Sequence, residues 1–271
     1  LFPYTTLFRS CRAATLEQTA NNFHQSIIDK NNSEKIFTRQ FAQKGSTNWL
    51  VLQHGPNGYH NWSGITPSHD LVAAFEMADG TLMTGFSNVG DKKTSNPYLN
   101  REPRFYATIG FDGCTWGRVR PADAYPLDPT PLGQLQCGYY EVSGVESSVT
   151  IKLPPNDTEL TFKGLNGIDT RQGPIEDWNG SWTGYYERKL VDTSVDGQNY
   201  AQNVPWTYFR LAEMYLIAAE ASVELNELED AADYLDALRN RIGMPDTKTT
   251  LTRRGKAFNQ ADMREFVRDR K

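Results

Sequence analysis

Two polar loops carry the residues best suited to chemistry in this sequence. Tyr59, Asn61 and Trp62 lie in HGPNGYHNWSGITPS, and Trp178, Asn179 and Trp182 lie in EDWNGSWTGYY. The combination suits saccharides. The C–H face of a pyranose packs on an indole or phenol ring while neighbouring amide, carboxylate or guanidinium groups take the hydroxyls in paired hydrogen bonds. The competing role for each aromatic is to fill space beneath its own loop. Trp62 and Trp178 are the foremost candidates of the six.

Other chemistry finds less support. The 33 Asp and Glu residues could include a glycosidase acid and nucleophile, but such a pair is defined by separation in space, which spacing along the chain does not reveal. No Gly-x-Ser-x-Gly elbow, phosphate-binding Gly loop or His-Glu-x-x-His zinc helix occurs. His24, His54, His60 and His69 lack a partner cysteine pair, and the last three read as loop residues, which argues against zinc. Asp29, Asn31 and Ser33 begin like a calcium loop. Glu34 then stands where the turn needs Gly, and Gln40 where a bidentate Glu is needed, so a solvated turn is expected. Cys11, Cys114 and Cys137 show no metal-site spacing. A Cys114–Cys137 disulfide is permitted in an oxidising compartment, with free buried thiols as the alternative. The expectation is a binding protein, not an enzyme, with no cofactor and no metal.

The elements that position these loops are legible in part. The strongest pattern runs from Pro205 to Gly243 and reads as two amphipathic helices packed back to back. Leu211, Met214, Tyr215, Ala218, Ala221 and Leu225 recur at the spacing of one helical face, as do Leu228, Ala231, Ala232, Leu235, Leu238 and Ile242. Asn226 separates the two runs, and Gly243 followed by Pro245 ends the second. Alanines at 218, 219, 221, 231 and 232 allow the close axial approach of a tetratricopeptide-like hairpin. Thr66 and Pro67 predict the N-cap and first residue of a short helix that stops at Asp79-Gly80. Phe105, Ala107, Ile109 and Phe111 alternate into Asp112-Gly113, predicting a strand and hairpin whose return carries Trp116. Val149, Ile151 and Leu153 predict another strand. Pro121, Pro126, Pro129 and Pro131 punctuate a stretch without regular structure. Met263, Phe266, Val267 and Arg270 sit at helical spacing near the end.

The wording of several segments is more specific than their periodicity. Arg210-Leu211-Ala212-Glu213-Met214-Tyr215-Leu216 leading into Ala219-Glu220-Ala221, then Leu238-Arg239-Asn240-Arg241-Ile242-Gly243, resembles the SusD/RagB family. Four further segments agree, in the family's order. They are Asn32 to Phe37 leading into a strand, Thr66 to Val72 with Phe75-Glu76-Met77 and Asp79-Gly80, Arg101 to Tyr106, and Thr183 to Lys189. The resemblance covers roughly residues 30 to 271. It implies a Bacteroidetes-like surface lipoprotein of the outer membrane, of the polysaccharide-utilisation type, that captures oligosaccharides and hands them to a SusC-like TonB-dependent transporter. It also implies a mainly α, SusD-like fold of tetratricopeptide-like helix hairpins with a loop-rich part containing a few short β-strands. The family's ligand contacts vary with substrate and lie outside its shared motifs. Arg104, Glu213 and Arg241 are therefore expected to be structural.

Composition sets the remaining bounds. The chain has 271 residues, 38% of them hydrophobic, enough for one good core or two small ones, and its net charge of −5 argues against nucleic acid as a partner. No apolar run is long enough for a membrane helix, so membrane association is expected only through a lipid anchor that the fragment lacks. Residues 1–10, LFPYTTLFRS, look like translated sequencing-adaptor DNA and are excluded from the fold. The expectation for 11–271 is a single domain truncated at both ends, with a loop-rich ligand-binding part over 11–200 and a helical repeat part over 201–271. Two other functions are compatible with the sequence: capture of oligopeptides by a RagB-like protein of the same family, and a helical-repeat scaffold for protein interaction.

Overall fold

The computed structural model describes residues 11–41, 50–83, 97–117, 120, 133–140, 148–153, 158–163, 165–171, 173, 178–195 and 202–269. Residues 1–10 and the prolines at 121, 126, 129 and 131 lie outside the described residues, as does Arg270. In chain order the first elements are α1 (Leu16–Ile28), β1 (Lys35–Arg39), α2 (Leu50–His54), α3 (His69–Ala74) and α4 (Pro103–Thr108). Short strands follow: β2 (Ile109–Gly110), β3 (Tyr139–Tyr140), β4 (Ser148–Leu153), β5 (Thr158–Lys163), β6 (Leu165–Asn166), β7 (Tyr186–Glu187) and β8 (Trp206–Arg210). The last elements are α5 (Leu211–Glu224), α6 (Leu228–Asn240), α7 (Thr247–Arg253) and α8 (Gln260–Arg268). The fold is mainly helical, and its strands form antiparallel pairs, β1 with β8, β2 with β7, β3 with β6 and β4 with β5. Among the described residues no helix is long and apolar enough to cross a membrane.

The chain divides into two compact units interleaved in sequence, one of residues 1–41, 69–108 and 204–271, the other of 42–68 and 109–203.

In the first unit the helix pair packs α5 on α6, and α8 lies against them. Ala219, Val223, Ala231, Ala232, Leu235, Leu251, Met263, Phe266 and Val267 form one continuous core. Each of its large side chains contributes about 1.5–3 kcal/mol through removal of apolar surface from water. Asn226 takes a left-handed backbone (φ 63°) and turns the chain between α5 and α6, and Glu227 N–H closes the turn on the Ser222 carbonyl at 2.8 Å. Asp246 caps α7 by accepting from Thr249 N–H at 2.7 Å, and Asn259 caps α8 in the same way through Asp262 N–H.

Four expectations about the elements are corrected. Trp206–Arg210 is not the first turn of a helix but a strand, whose aromatic and β-branched residues pair with β1 (Phe37 opposite Phe209, Thr38 opposite Thr207). The buried face of α5 is Ala212, Tyr215, Ala219, Ser222 and Val223, whereas Leu225 is 70% exposed. Apolar residues nearly surround α5, so periodicity alone left its inward side open. Phe105 and Ala107 lie in the helix α4, opened by Pro103 at its first position, where proline's fixed φ is accommodated. Only Ile109 and Gly110 are extended, and they pair with Glu187 and Tyr186 rather than with a hairpin return. The helix expected from Pro67 begins at His69 and ends at Ala74. The strand at 148–153 is present, as is β1 after Asn32.

The motif residues of this unit build a buried charge network. Arg101, fully buried, donates to the carbonyls of Val72 (2.7 Å), Phe75 (2.8 Å) and Pro97 (3.1 Å), holding the end of α3 against the segment before α4. Glu76, also fully buried, receives Arg239 Nη1 at 3.0 Å and Arg254 Nη2, while Arg239 Nη2 donates to Thr250 Oγ1 at 2.7 Å. Arg241 pairs with Glu34 at 2.7 Å, both side chains nearly inaccessible, and Arg104 with Glu102 at 2.6 Å. At the calcium-like turn Asp29 Oδ1 accepts from Asn31 N–H at 2.9 Å, so its carboxylate closes a local turn.

Candidate functional site

The two aromatic loops belong to the second unit, and one buried ion pair underlies both. Arg120 and Asp169 meet in a two-point contact (Nη1–Oδ1 2.9 Å, Nη2–Oδ2 2.6 Å), with both side chains fully buried. Asp169 Oδ2 also accepts from Gln136 N–H at 2.9 Å, and Arg120 Nη2 donates to the Gln134 carbonyl at 2.6 Å. The Tyr59 ring packs under the Arg120 guanidinium, 4.8 Å from its centroid, and the Tyr59 hydroxyl donates to the Gly133 carbonyl at 3.0 Å. Gly58 leaves room for this pair, since a Cβ there would lie 2.2 Å from Arg120 Nη1 and 2.3 Å from Asp169 Oδ1.

Residues far apart in sequence then tie the loops together. Asn57 Nδ2 donates to the Thr170 carbonyl at 2.8 Å, and the Tyr186 hydroxyl, 3.1 Å from Asn57 Oδ1, donates to the Asp169 carbonyl at 2.5 Å. The same hydroxyl accepts from Ser181 N–H at 3.2 Å, and burial raises its pKa well above the usual tyrosine value, so it stays a donor. Thr170 pairs with Ser181 in a parallel bridge, and Thr183 Oγ1 donates to the Pro67 carbonyl at 2.7 Å. The Trp62 loop is pinned at its base by Trp62 N–H to the Leu52 carbonyl (2.6 Å) and Ser63 Oγ to the Gly55 carbonyl (2.9 Å).

On this frame the six candidate residues separate into two groups. Trp62, Trp178 and Trp182 are exposed, at 37%, 67% and 78%. Tyr59 is a correction to the sequence reading: at 1% exposure it packs beside Trp116, Leu135 and Tyr186 and offers no ring face to solvent. Asn61 and Asn179 are also buried. Asn61 Oδ1 has no hydrogen-bond partner among the described residues, and its side chain fills the space over Gly55. Tyr59 is drawn inside by the Arg120 guanidinium stacked on its ring. Sequence reasoning missed Arg171, whose guanidinium lies 3.7 Å from the Trp182 ring centroid. Eleven positions separate the two, and no spacing rule relates them.

A family model for the SusD family matches residues 21–270. The chain belongs to the SusD family. Among solved structures it is similar to a SusD-like protein from Bacteroides fragilis, with 25% identity and a TM-score of 0.59 over 92% of this chain and 42% of that one. It is also similar in fold to a SusD-like carbohydrate-binding protein from the same organism, with 20% identity and a TM-score of 0.56 over 94% of this chain and 45% of that one. The chain thus spans less than half the length of either structure. No curated protein matches it.

Several titratable groups of this SusD-family chain are built into its cores and helix ends. Cys114 and Cys137 pack on the Tyr59–Trp116 core, and the structure does not join them in the disulfide that the cysteine count permits. Burial pushes the Cys114 thiol up to about 11, which keeps it protonated and a poor nucleophile. Two of the histidines read as loop residues instead end helices, His54 closing α2 and His69 opening α3. Among the described residues no group of three or more His, Cys, Asp or Glu side chains could hold a metal ion.

His54 makes the unit acid-sensitive. Its Nε2 lies 3.2 Å from Glu187 Oε2, its Nδ1 is buried with no hydrogen-bond partner, and burial lowers its pKa to about 4. The neutral ring therefore donates through Nε2–H to Glu187, whose own pKa burial raises. In the unfolded chain the imidazole takes up a proton below its ordinary pKa near 6.5, while the folded site resists protonation down to about 4. Stability from this group is thus complete above pH 6.5 and is lost as pH falls through that window, by on the order of 3 kcal/mol in all. Thermal unfolding at pH 7.5 and pH 5 checks this: His54→Gln should reduce the drop in Tm between the two. An equal drop in the variant would contradict it.

Proposed function

We propose that the chain is a glycan-capture protein of the SusD type, working without catalysis at the outer-membrane surface of a Bacteroidetes-type cell. It is held there by a lipid anchor and passes oligosaccharides to a SusC-like TonB-dependent transporter. The observation that carries this reading is the exposure of Trp62, Trp178 and Trp182 on loops braced by the buried Arg120–Asp169 pair and the Tyr186 hydroxyl. Exposed indoles held on a rigid base lose little conformational freedom on stacking against a pyranose. Family membership and the similarity to a SusD-like carbohydrate-binding protein support it.

The scaffold reading has one observation of its own. A pocket in the first unit is lined by Arg104, Arg210, Leu216, Leu235, Leu238 and Phe266, among others, a lining that suits a partly apolar peptide. Calorimetric titration with a panel of neutral and acidic oligosaccharides, then with peptides, decides between them. We expect heat from at least one glycan, with Trp178→Ala and Trp182→Ala each weakening its binding about tenfold, equivalent to roughly 1.4 kcal/mol. Far-UV circular dichroism should be unchanged, since both rings are exposed. Heat from peptides alone would sink the glycan reading in favour of peptide capture or a scaffold.

A further inference from the structure

The contact between Arg171 and Trp182 is costly to explain as structure alone. Trp182 is 78% exposed, so the stack seals no core, and an exposed cation–π contact stabilises a fold only weakly. Arg171 makes no hydrogen bond or ion pair with any described residue. Of the described carboxylates on either side of this segment, Asp169 is committed to Arg120 and Glu187 to His54. The pairing is nevertheless built in. The Thr170–Ser181 bridge sets residues 171 and 182 side by side. Gly180, at φ +118°, lets the backbones close up, for a Cβ there would lie 2.9 Å from Arg171 N and 3.0 Å from its Cα. Ser181 is in turn held by the Tyr186 hydroxyl.

The result is an oriented guanidinium lying on one face of a largely exposed indole, its donors unused among the described residues. Arginine's planar fork matches a carboxylate or sulfate at two points, and a guanidinium is more weakly hydrated than an ammonium, so it gives up water readily to an anion. The whole chain carries a net charge of −5, so an anionic ligand needs a local cation.

We infer that the glycan taken at this site is acidic, its uronate carboxylate or sulfate held by Arg171 while a sugar ring stacks on Trp182 or Trp178. The inference rests on the glycan-capture reading and specifies its substrate class. Recognition is by charge-assisted hydrogen bonding and stacking, and no bond is made or broken.

The test compares an oligogalacturonate with its fully methyl-esterified counterpart, which has the same rings and loses only the charge, by calorimetry on the 271-residue chain. A sulfated heparin oligosaccharide is the third arm. We expect the acid to bind at least about tenfold more tightly than the ester, or the sulfated arm to do so, which would identify sulfate as the anion. We also expect this margin to shrink as salt is raised. Arg171→Gln should abolish the margin and leave ester binding within about twofold, whereas Trp178→Ala should weaken both. Equal affinity of the wild type for charged and neutral forms, or an undiminished margin in Arg171→Gln, would overturn the inference while leaving glycan capture standing. Binding of none of these or any other saccharide would remove both. The wild-type comparison needs no variant, so the inference is decided even if Arg171→Gln fails to fold.

Discussion

Glu76→Gln should lower the stability of the first unit by about 3–5 kcal/mol, the cost of removing one member of a buried charge network. Glu76 is fully buried and stands between Arg239 and Arg254, whose side chains are only 6% and 8% exposed. The substitution keeps the shape and one carbonyl oxygen but puts a neutral amide where two poorly solvated guanidinium groups share a carboxylate. Arg239 is further fixed by its bonds to Thr250 and the Pro245 carbonyl, and Arg254 by the Gly80 carbonyl, so neither turns easily to solvent. Urea denaturation followed by tryptophan-independent circular dichroism at 222 nm measures the loss, since α5 to α8 dominate that signal. The exposed pair Lys248–Glu229 is the control. Solvent screens such pairs, so Glu229→Gln should leave the midpoint unchanged. A Glu76→Gln midpoint equal to that of Glu229→Gln would refute the argument.

Asp169→Asn should be of similar size, about 3–5 kcal/mol, with its effect confined to the second unit. The substitution removes the charge facing Arg120 at two points and replaces an oxygen that accepts Gln136 N–H with a group that can turn a donor toward it. The Tyr59 ring loses an ordered cation above it, and the Thr170 to Ser181 segment loses its base. Hydrogen exchange should therefore accelerate in residues 57–63 and 166–186 and remain unchanged in α5 and α6. Replacing both partners, Arg120→Met with Asp169→Leu, should recover part of the loss, because no unbalanced charge is then buried, although Gln136 N–H stays unsatisfied. Uniform exchange across both units, or a double variant no better than the single, would show that the pair is not the local anchor described. Glycan affinity should fall with Asp169→Asn even though Asp169 touches no solvent.

Much of the helical part was legible because its information is local. Ala231, Ala232 and Leu235 on α6, and Met263, Phe266 and Val267 on α8, lie three or four positions apart, and their burial follows from helical geometry. The break at Asn226 and the stop near Gly243 are likewise written in single residues. Where local signals conflicted, packing arbitrated. Trp206–Arg210 followed a proline that could open a helix, yet its aromatic and β-branched side chains found a partner in Lys35–Arg39, some 170 positions away. Phe105 and Ala107 alternated like a strand, but Pro103 and the Phe105 N–H bond to the Glu102 carbonyl closed a helical turn.

The candidate site was legible as composition and not as geometry. Loops rich in Trp, Tyr, Asn and Gly marked the region, and three of the six named residues are exposed, while Tyr59, Asn61 and Asn179 are inside. Nothing in the spacing of HGPNGYHNWSG distinguishes Tyr59 from Trp62. What separates them is Arg120, sixty positions on, which draws the tyrosine ring beneath it.

The sequence by itself therefore determined the family, the helix pair and the two aromatic loops, because motifs and amphipathic periods are properties of neighbouring residues. Only the tertiary structure decided which side of α5 faces the core, which aromatics remain in solvent, and that Arg171 lies on Trp182. These depend on contacts such as Asn57 with Thr170 and Thr183 with Pro67, more than a hundred positions apart, where closure of the chain and competition for buried space choose among side chains that look alike in sequence.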